Sequence, residues 1–289
     1  MKIRFIINLI AGTGKQKNIE KYIKKNIKKQ FEIKYTKGKG DAKMLAKKAI
    51  IDKVDKIIAV GGDGTVNEII SVIIGTKVLF GVIPCGSGNG FALHIGMSTN
   101  IVEAIQQINN GIYKKIDTCI LNEIPFINVA GVGFDAHIAN IFSKEQKRGF
   151  LKYIWLILKE LKYKPVKYNI ELNGKDKNIT AFLVAFANTS QYGNNSYISP
   201  DSCLHDGFFE VVIIKSFPKW KIPIILYKIM VKKINSFNYK KIIKTKEIKI
   251  NAKNNLLIHV DGEAIYIKNK IEVKINHKSL NVIFPYEKK

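Results

Sequence analysis

The residues best suited to chemistry fall in three glycine-bearing stretches and one acidic pair. Gly61-Gly62-Asp63-Gly64-Thr65-Val66-Asn67-Glu68 follows the apolar run Ile57-Ile58-Ala59-Val60 and precedes a helical run at 69–74. Glycines let backbone N–H groups approach an anion closely, a helix start offers its positive end, and Thr65 can cap that helix or bond a phosphate oxygen. Asp63 is the odd residue. A carboxylate beside phosphates repels them unless it holds a cation or takes a proton, so the pattern predicts magnesium or an acceptor hydroxyl near it. The plain alternative is a Gly-rich turn with Asp at a tight bend. A second stretch, Pro84-Cys85-Gly86-Ser87-Gly88-Asn89-Gly90-Phe91-Ala92, follows the next apolar run, and Asn8 with Gly12, Thr13, Gly14 and Lys15 follows the first. Neighbouring parallel strands ending in such loops share one crevice.

Far downstream stands Val260-Asp261-Gly262-Glu263, two carboxylates flanking a glycine at a strand end. Paired carboxylates there can do acid/base work, although an Asp-Gly hairpin turn explains the local sequence better. His205-Asp206-Gly207 likewise reads as a turn before a strand. Other chemistries lack their patterns. Gly12–Lys15 is no P-loop, since Leu9 stands where its first Gly would be and Gln16 replaces the Ser or Thr; Gly86 to Gly90 does not fit GxGxxG. The five histidines form no HExxH and no Ser sits in GxSxG, so each histidine reads as a surface or core residue. Cys85, Cys119 and Cys203 lie far apart without CxxC spacing, which excludes a disulfide framework and a zinc cluster and fits a reducing compartment.

These residues need elements to hold them. Through about residue 118, short β-branched runs at 3–9, 31–36, 56–60 and 79–83 alternate with helix-period stretches, among them Ile19, Ile23 and Ile27 and an amphipathic segment from Ala42 to Ala49. That alternation predicts a parallel sheet with crossover helices, whose ligand loops lie at the carboxyl ends of the strands. Beyond 118 the period changes to two, at 126–132, 168–172, 181–187, 208–214, 247–250, 256–260 and 271–275, which predicts an antiparallel sandwich or flattened barrel. Two helical stretches, 150–162 and 218–234, mix Trp, Tyr, Leu and Ile with Lys as interfacial helices do; ordinary packing on a sheet is the alternative. The expected fold is α/β plus β: an N-terminal parallel-sheet nucleotide domain at 1–118, to which 279–289 returns, and a C-terminal antiparallel β-sandwich domain at 119–278.

The chain has 289 residues, 46% hydrophobic and 25% charged, enough for about two domains with sizeable cores. Its 48 Lys and Arg against 23 Asp and Glu leave a net charge of +25, which favours an anionic partner. Only Arg4 and Arg148 are arginines, whereas nucleic-acid readers lean on the bidentate Arg fork, so nucleic acid is not expected. Abundant Lys, Ile and Asn together also fit an A- and T-rich genome. Asn8 interrupts the first apolar stretch and no cleavage site follows it, so no signal peptide is expected. No window of ~18 residues lacks charge.

The order Asn8…GGDGT…NE…PCGSGNGFA…GVGFDA…DG…DGE resembles the diacylglycerol kinase catalytic-domain family, which includes bacterial lipid kinases and sphingosine kinases, over essentially the whole chain. GGDGT alone is shared with NAD kinases; the combination with the PxGSGN loop, Gly131-Val132-Gly133-Phe134-Asp135-Ala136 and the late DGE is far more specific. The resemblance implies an α/β nucleotide domain, a β-rich lipid domain and ATP bound in the cleft between them. It implies ATP contacts at Asn8, Thr36, Gly61, Gly62, Asp63, Gly64, Thr65, Val66, Asn67, Gly86 and Ser87. Glu263 would accept the proton with Asp261 as its rival, and Asp63 would hold magnesium or the transferring phosphate. A structural magnesium ion would take Asp206 and the carbonyls of Cys203 and Phe208. In the first loop Leu9 replaces the family's usual Pro, and His137 stands where sphingosine kinases place a second acidic residue.

The expectation is therefore a lipid kinase that moves the γ-phosphoryl group of ATP, with Mg2+, to a hydroxyl of a membrane lipid such as diacylglycerol or a sphingoid base. It would sit in the cytoplasm, peripheral on the anionic inner face of the membrane. An NAD kinase-like enzyme and an inactive basic protein that binds membrane or nucleic acid are the alternatives, the first opposed by PCGSGNGFA and the second by intact Asp63, Asp261 and Glu263.

Overall fold

A computed structural model describes residues 1–12, 15–145, 149–172 and 174–286 of the chain; Thr13, Gly14 and the last residues of the 279–289 stretch lie outside them. The chain divides into two compact units, Met1–Ile116 with Lys278–Lys289, and Asp117–His277.

The first unit is built on parallel strands. In chain order it runs β1 (Ile3–Ile7), α1 (Ile19–Asn26), β2 (Phe31–Tyr35), α2 (Asp41–Ile51), β3 (Lys56–Gly61), α3 (Asp63–Ile73), β4 (Leu79–Pro84), α4 (Gly90–His94) and α5 (Ile101–Asn110). The sheet order is β2-β1-β3-β4, all parallel, and Asn281 and Val282 of the final strand pair parallel with Leu79 and Phe80 of β4. Every residue of β1 and β3 is buried, the signature of strands covered on both faces, and Ala42, Ala46, Ile69, Ile70 and Ile73 supply the buried helix faces. Because the strands run the same way, Asn8, Thr36, Gly62 and Cys85 all leave the sheet at its carboxyl edge. The helix expected at 69–74 already starts at Asp63. Gly62 takes the extended N-cap conformation, and the Asp63 charge suits the positive end of the helix, so the glycine motif is the first turn of α3 and not a long loop. No helix was expected at α5, which Asn100 caps by accepting from the amides of Val102 and Glu103.

In the second unit the order is β5 (Ile112–Leu121, which enters from the first), β6 (Ile124–Phe126), β7 (Val129–Gly133), α6 (Phe134–Ser143), α7 (Phe150–Lys159), β8 (Val166–Leu172), β9 (Lys175–Ala187), β10 (Phe209–Lys215), α8 (Ile222–Met230), β11 (Lys240–Thr245), β12 (Glu247–Asn251), β13 (Leu256–Val260), β14 (Glu263–Ile267) and β15 (Lys270–Phe284). Strand β9 organises it. Its first half pairs with β8, which continues to β12 and β15, while its second half pairs with both β7 and β10. All these ladders are antiparallel, and β7 extends the sheet to β13 and β14.

Alternation then sorts the side chains into two cores. Ala130, Val132, Val184, Phe186, Val211 and Ile213 point into the sandwich core with Ile170, Ile250, Ile258 and Ile271. Their neighbours Val129, Ala185, Ala187, Val212 and Ile214 point the other way, into a second core roofed by Phe134, Ile138, Leu156, Ile157, Ile222 and Ile225 of the three helices. The single strand expected at 126–132 is broken at Ile127 and Asn128, whose amides turn to the Asp261 carboxylate. The helix expected at 218–234 shortens to α8, entered through a turn at Lys219–Lys221 with Pro223 in its first turn.

Candidate active site

In the first unit the loops after β1, β3 and β4 close on one another through backbone. Gly62 and Gly86 touch main chain to main chain, and a Cβ on Gly62 would stand 2.9 Å from the Gly86 Cα. Gly12, held at φ +38°, faces the same loop, where a Cβ would lie 2.8 Å from the Ser87 nitrogen. Side chains stitch the seams. Asn8 donates to the Thr65 hydroxyl at 3.1 Å, and Gly61 leaves room for that buried threonine. Asn89, in the left-handed conformation, accepts from the Gly86 amide at 2.9 Å and donates to the Gly86 carbonyl at 2.8 Å. Thr36 is buried at the end of β2, its amide bonded to the Ile7 carbonyl. Val66 is buried inside α3, whereas Gly64 and Ser87 reach the surface. Glu68 reaches back to the Gly40 amide at 2.8 Å and so ties the loop after β2 to α3. The result is a floor of main-chain N–H groups and small polar side chains, suited to phosphate.

Asp63 lies at the centre of this floor. The residue is half-buried, but its Oδ1 is sealed from solvent and has no hydrogen-bond partner among the described residues. Burial pushes its carboxyl above the usual carboxylate range, and the amides of Gly90, Asn89 and Phe91 at the start of α4 oppose that shift by favouring the charged form.

In the second unit, Asp261 and Gly262 both have positive φ, +48° and +84°, and form the two-residue hairpin between β13 and β14. The turn is as the local sequence suggests, and it also carries a specific task. The Asp261 carboxylate accepts from the amides of Ile127 at 3.1 Å, Asn128 at 2.9 Å and Val129 at 3.1 Å, fixing the entry of β7 to the hairpin. Glu263 opens β14 opposite Val260 and is exposed.

At 203–208, Asp206 forms an ion pair with Lys244, and its Oδ1 accepts from the Phe208 amide at 3.0 Å. The Gly207 amide bonds buried Asp117 at 2.7 Å. Among the described residues no cluster of three or more His, Cys, Asp or Glu side chains is arranged to hold a metal ion. The Lys244 ammonium stands on Asp206, the one side-chain ligand expected for magnesium beside the Cys203 and Phe208 carbonyls.

Comparison with known proteins agrees with this geometry. Residues 2–121 match the diacylglycerol kinase catalytic domain, and residues 128–284 match the YegS C-terminal NAD kinase beta sandwich-like domain. A diacylglycerol kinase of Bacillus subtilis is 31% identical over 259 residues, covering 86% of this chain and 84% of that protein. The chain belongs to the diacylglycerol kinase catalytic-domain family. A probable YegS-like lipid kinase of Chromohalobacter salexigens is 27% identical, with 82% of this chain and 78% of that protein covered. The crystal structure of a putative diacylglycerol kinase from Bacillus anthracis superposes with a TM-score of 0.81 at 25% identity, covering 98% of this chain and 95% of that one. As members of a lipid-kinase family, such chains use ATP.

Within this member of the family, two buried residues with structural tasks escape a motif search. Gln16 is buried, and its amide reaches the carbonyls of Asn8 at 3.1 Å, Leu9 at 3.0 Å and Ala11 at 2.7 Å, so it shapes the first loop where a P-loop would place a hydroxyl. Its spacing from Asn8 was the only signal. Asp117 has no motif around it; besides Gly207 it holds His277 at 2.7 Å.

Two outcomes test this arrangement. Gly62→Ala forces the loops apart and is expected to cost about 1–3 kcal/mol in denaturant unfolding, together with a weakened ATP affinity by titration calorimetry. For Asp63, a carboxyl pKa raised by folding means the native state binds more protons than the unfolded chain between the ordinary value and the raised one. Wild-type stability from this group therefore grows as pH falls through that window. Asp63→Asn is expected to raise the melting temperature at neutral pH, with the gain vanishing toward pH 4, while turnover is lost; a constant gain across pH would refute the assignment.

Proposed function

We propose that this protein transfers the γ-phosphoryl group of MgATP to a hydroxyl of a neutral membrane lipid such as diacylglycerol. The observation that carries the proposal is the pairing of two features in one chain: the phosphate-suited floor of the first unit, and an apolar pocket in the second. That pocket lies between Ile154 and Ile157 of α7, Ile225 and Ile229 of α8, and Phe182 on the sheet. Apolar walls with few polar groups suit a lipid and not a sugar or a nucleotide.

In this reading the backbone at Gly61, Gly62, Gly64 and Ser87 approaches the phosphate oxygens, Gly86, whose amide already donates to Asn89, lets the loops close, Asn8, Thr36, Thr65, Val66 and Asn67 shape the floor, and Asp63 orients the transferring group. Such phosphoryl transfer rests mainly on positioning and charge neutralisation. Glu263 accepts the proton of the attacking hydroxyl. Asp261 has spent its oxygens on three amides, so it positions the hairpin and the base role falls to Glu263. The magnesium required arrives with ATP.

A water-insoluble acceptor also gives the outer faces of α7 and α8 a use. Leu151, Trp155 and Leu158 on α7, with Trp220 and Tyr227 at α8, are exposed although the opposite faces of both helices line the pocket. Lys152 and Lys159 lie over the Trp155 ring at 4.4 and 5.2 Å, and Lys221 over Trp220 at 5.2 Å. Aromatic and aliphatic side chains interleaved with Lys suit the headgroup region of an anionic leaflet, where each Lys is worth roughly 1 kcal/mol. Among the described residues no helix is long and apolar enough to cross a membrane, which says nothing of strands.

The decisive assay is transfer of labelled phosphate from ATP into an organic-extractable product. Glu263→Gln is expected to lower kcat by about 10²–10⁴ with the KM for ATP unchanged; a folded variant at wild-type rate would sink the base assignment. In liposome sedimentation, the wild type is expected to bind vesicles containing phosphatidylglycerol and to release them as salt rises. Trp155→Ala with Trp220→Ala is expected to abolish that binding, and equal binding to neutral vesicles at all salt concentrations would count against docking through this face.

A further inference from the structure

The first unit carries an open groove of ≈ 1110 Å³ at the amino edge of its parallel sheet, the edge away from the phosphate-suited floor. Lys53, Lys77, Lys115 and Lys278 line it, all four exposed, and Asp55 is the one acid in its wall. Four lysines against one aspartate is a sharper excess than the 48 basic and 23 acidic residues of the whole chain. Asp55 is itself engaged, its Oδ2 accepting from the Lys2 amide at 2.6 Å. Every residue of the wall belongs to the first unit.

Two further observations separate this groove from a surface that is merely rich in lysine. Lys53 and Lys278 both hold left-handed backbone, at φ +51° and +50°. Asparagine suits that backbone better than lysine, and the same chain places Asn89, Asn122, Asn194 and Asn195 at left-handed positions elsewhere. A genome rich in A and T supplies asparagine as readily as lysine, so composition alone does not put lysine at two such corners of one groove. Behind the wall stands Lys56, the first residue of β3. It is almost fully buried, with its Nζ 5.3 Å from the centre of the ring of Tyr113, which does line the groove. Burial pushes the Lys56 ammonium below the usual lysine range; Tyr113 opposes that shift and the charge of Lys29 adds to it. Among the described residues no carboxylate pairs with Lys56, whereas buried charges are nearly always paired. A positive charge where screening is poor extends its field into the groove and calls for an anion there.

We infer that this groove binds a soluble, multiply phosphorylated small molecule at a site separate from the ATP floor. Lysine ammoniums are point charges that meet phosphate oxygens from any direction, while a planar carboxylate is matched best by the arginine fork. Arg4, the one arginine among the described residues, is buried elsewhere and pairs with Glu32 and Asp52. The space exceeds what one inorganic phosphate fills and suits an organic ligand. Val54, Val78 and Leu79 with the Tyr113 ring offer the organic part of such a molecule an apolar surface. A concave wall also favours a ligand that enters from solution over a flat leaflet. Strand β3 runs from Lys56 to Gly61, so at a rise of ~3.3 Å per residue its two anion-attracting ends lie about 17 Å apart and can be filled together. The inference is independent of which lipid the enzyme phosphorylates.

The test is titration calorimetry of the full-length protein with inorganic tripolyphosphate. A groove variant combines Lys53→Gln, Lys77→Gln and Lys278→Gln; a control variant removes the same charge from exposed lysines of the second unit by Lys164→Gln, Lys175→Gln and Lys268→Gln. The groove variant is expected to bind tripolyphosphate at this site about tenfold more weakly or worse, with an unchanged melting temperature and KM for ATP, and the control to match the wild type. The Lys56 side chain reports the place of binding. Its 13Cε signal, assigned by its loss in Lys56→Arg, is expected to titrate at higher pH once tripolyphosphate is added to the wild type, and to stay put in the groove variant. An unmoved Lys56 signal in the wild type means that the anion fills the ATP floor only and overturns the inference, as does equal weakening in groove and control variants. Two other occupants are judged in the same experiment. Polyglutamate binding the wild type more tightly than tripolyphosphate, or loss of phosphatidylglycerol vesicle binding by the groove variant with tripolyphosphate binding intact, assigns the lysines to an acidic chain or to a leaflet and likewise overturns it.

Discussion

Close approach of two stretches of main chain governs the first unit. Gly62 and Gly86 meet without side chains between them, and that contact brings the start of α3, the loop after β4 and the loop after β1 within reach of one another. What suits phosphate there follows from it: glycine backbone without side chains, a threonine held by Asn8, and a carboxylate pressed against the start of α4. Any larger residue at either position separates the loops by the thickness of a methyl group, and amides aimed at one small anion would no longer converge.

The second unit obeys a different constraint, the satisfaction of buried polar groups. Asp261 adopts a left-handed backbone that suits the hairpin and offers its oxygens to three amides that the break between β6 and β7 leaves without ladder partners. Asp135 and His259 answer one another in the same way across Gly131, although one nitrogen is left over. The paired acids of the DGE motif thus divide: one is absorbed by the architecture and the other faces outward.

Much of this was legible in the chain. Period and composition gave the parallel strands and the antiparallel half, because apolar runs covered on both faces and alternating runs differ in a way the residues record directly. Motif spacing found Asp63, the glycine corners and the Asp261–Glu263 hairpin, since glycine at a tight contact leaves a signature. It placed the start of α3 late because glycines look like loop, while a helix tolerates Gly64 in its first turn when nothing packs against it. The buried contacts of Gln16, Asp117 and His259 were illegible. The partners of Asp117 and His259 lie 90 and 124 residues away, and no local pattern announces a contact whose two halves are distant in sequence; Gln16 meets the carbonyls of its own loop, whose shape no periodicity records. The ion pair of Lys244 with Asp206 was hidden for the same reason.

The two-sided burial of β7, β9 and β10 carries an evolutionary corollary. Along β9, Val184 and Phe186 belong to the sandwich while Phe182, Leu183, Ala185 and Ala187 face the helices. Adjacent codons of one strand are therefore answerable to different masters, one to the integrity of the sandwich and the next to the shape of a cavity. A lineage can retune the helix-facing side of β9, Phe182 and Leu183 at the cavity included, while Val184 and Phe186 keep the sandwich intact, so a change in what the cavity accepts leaves the scaffold standing.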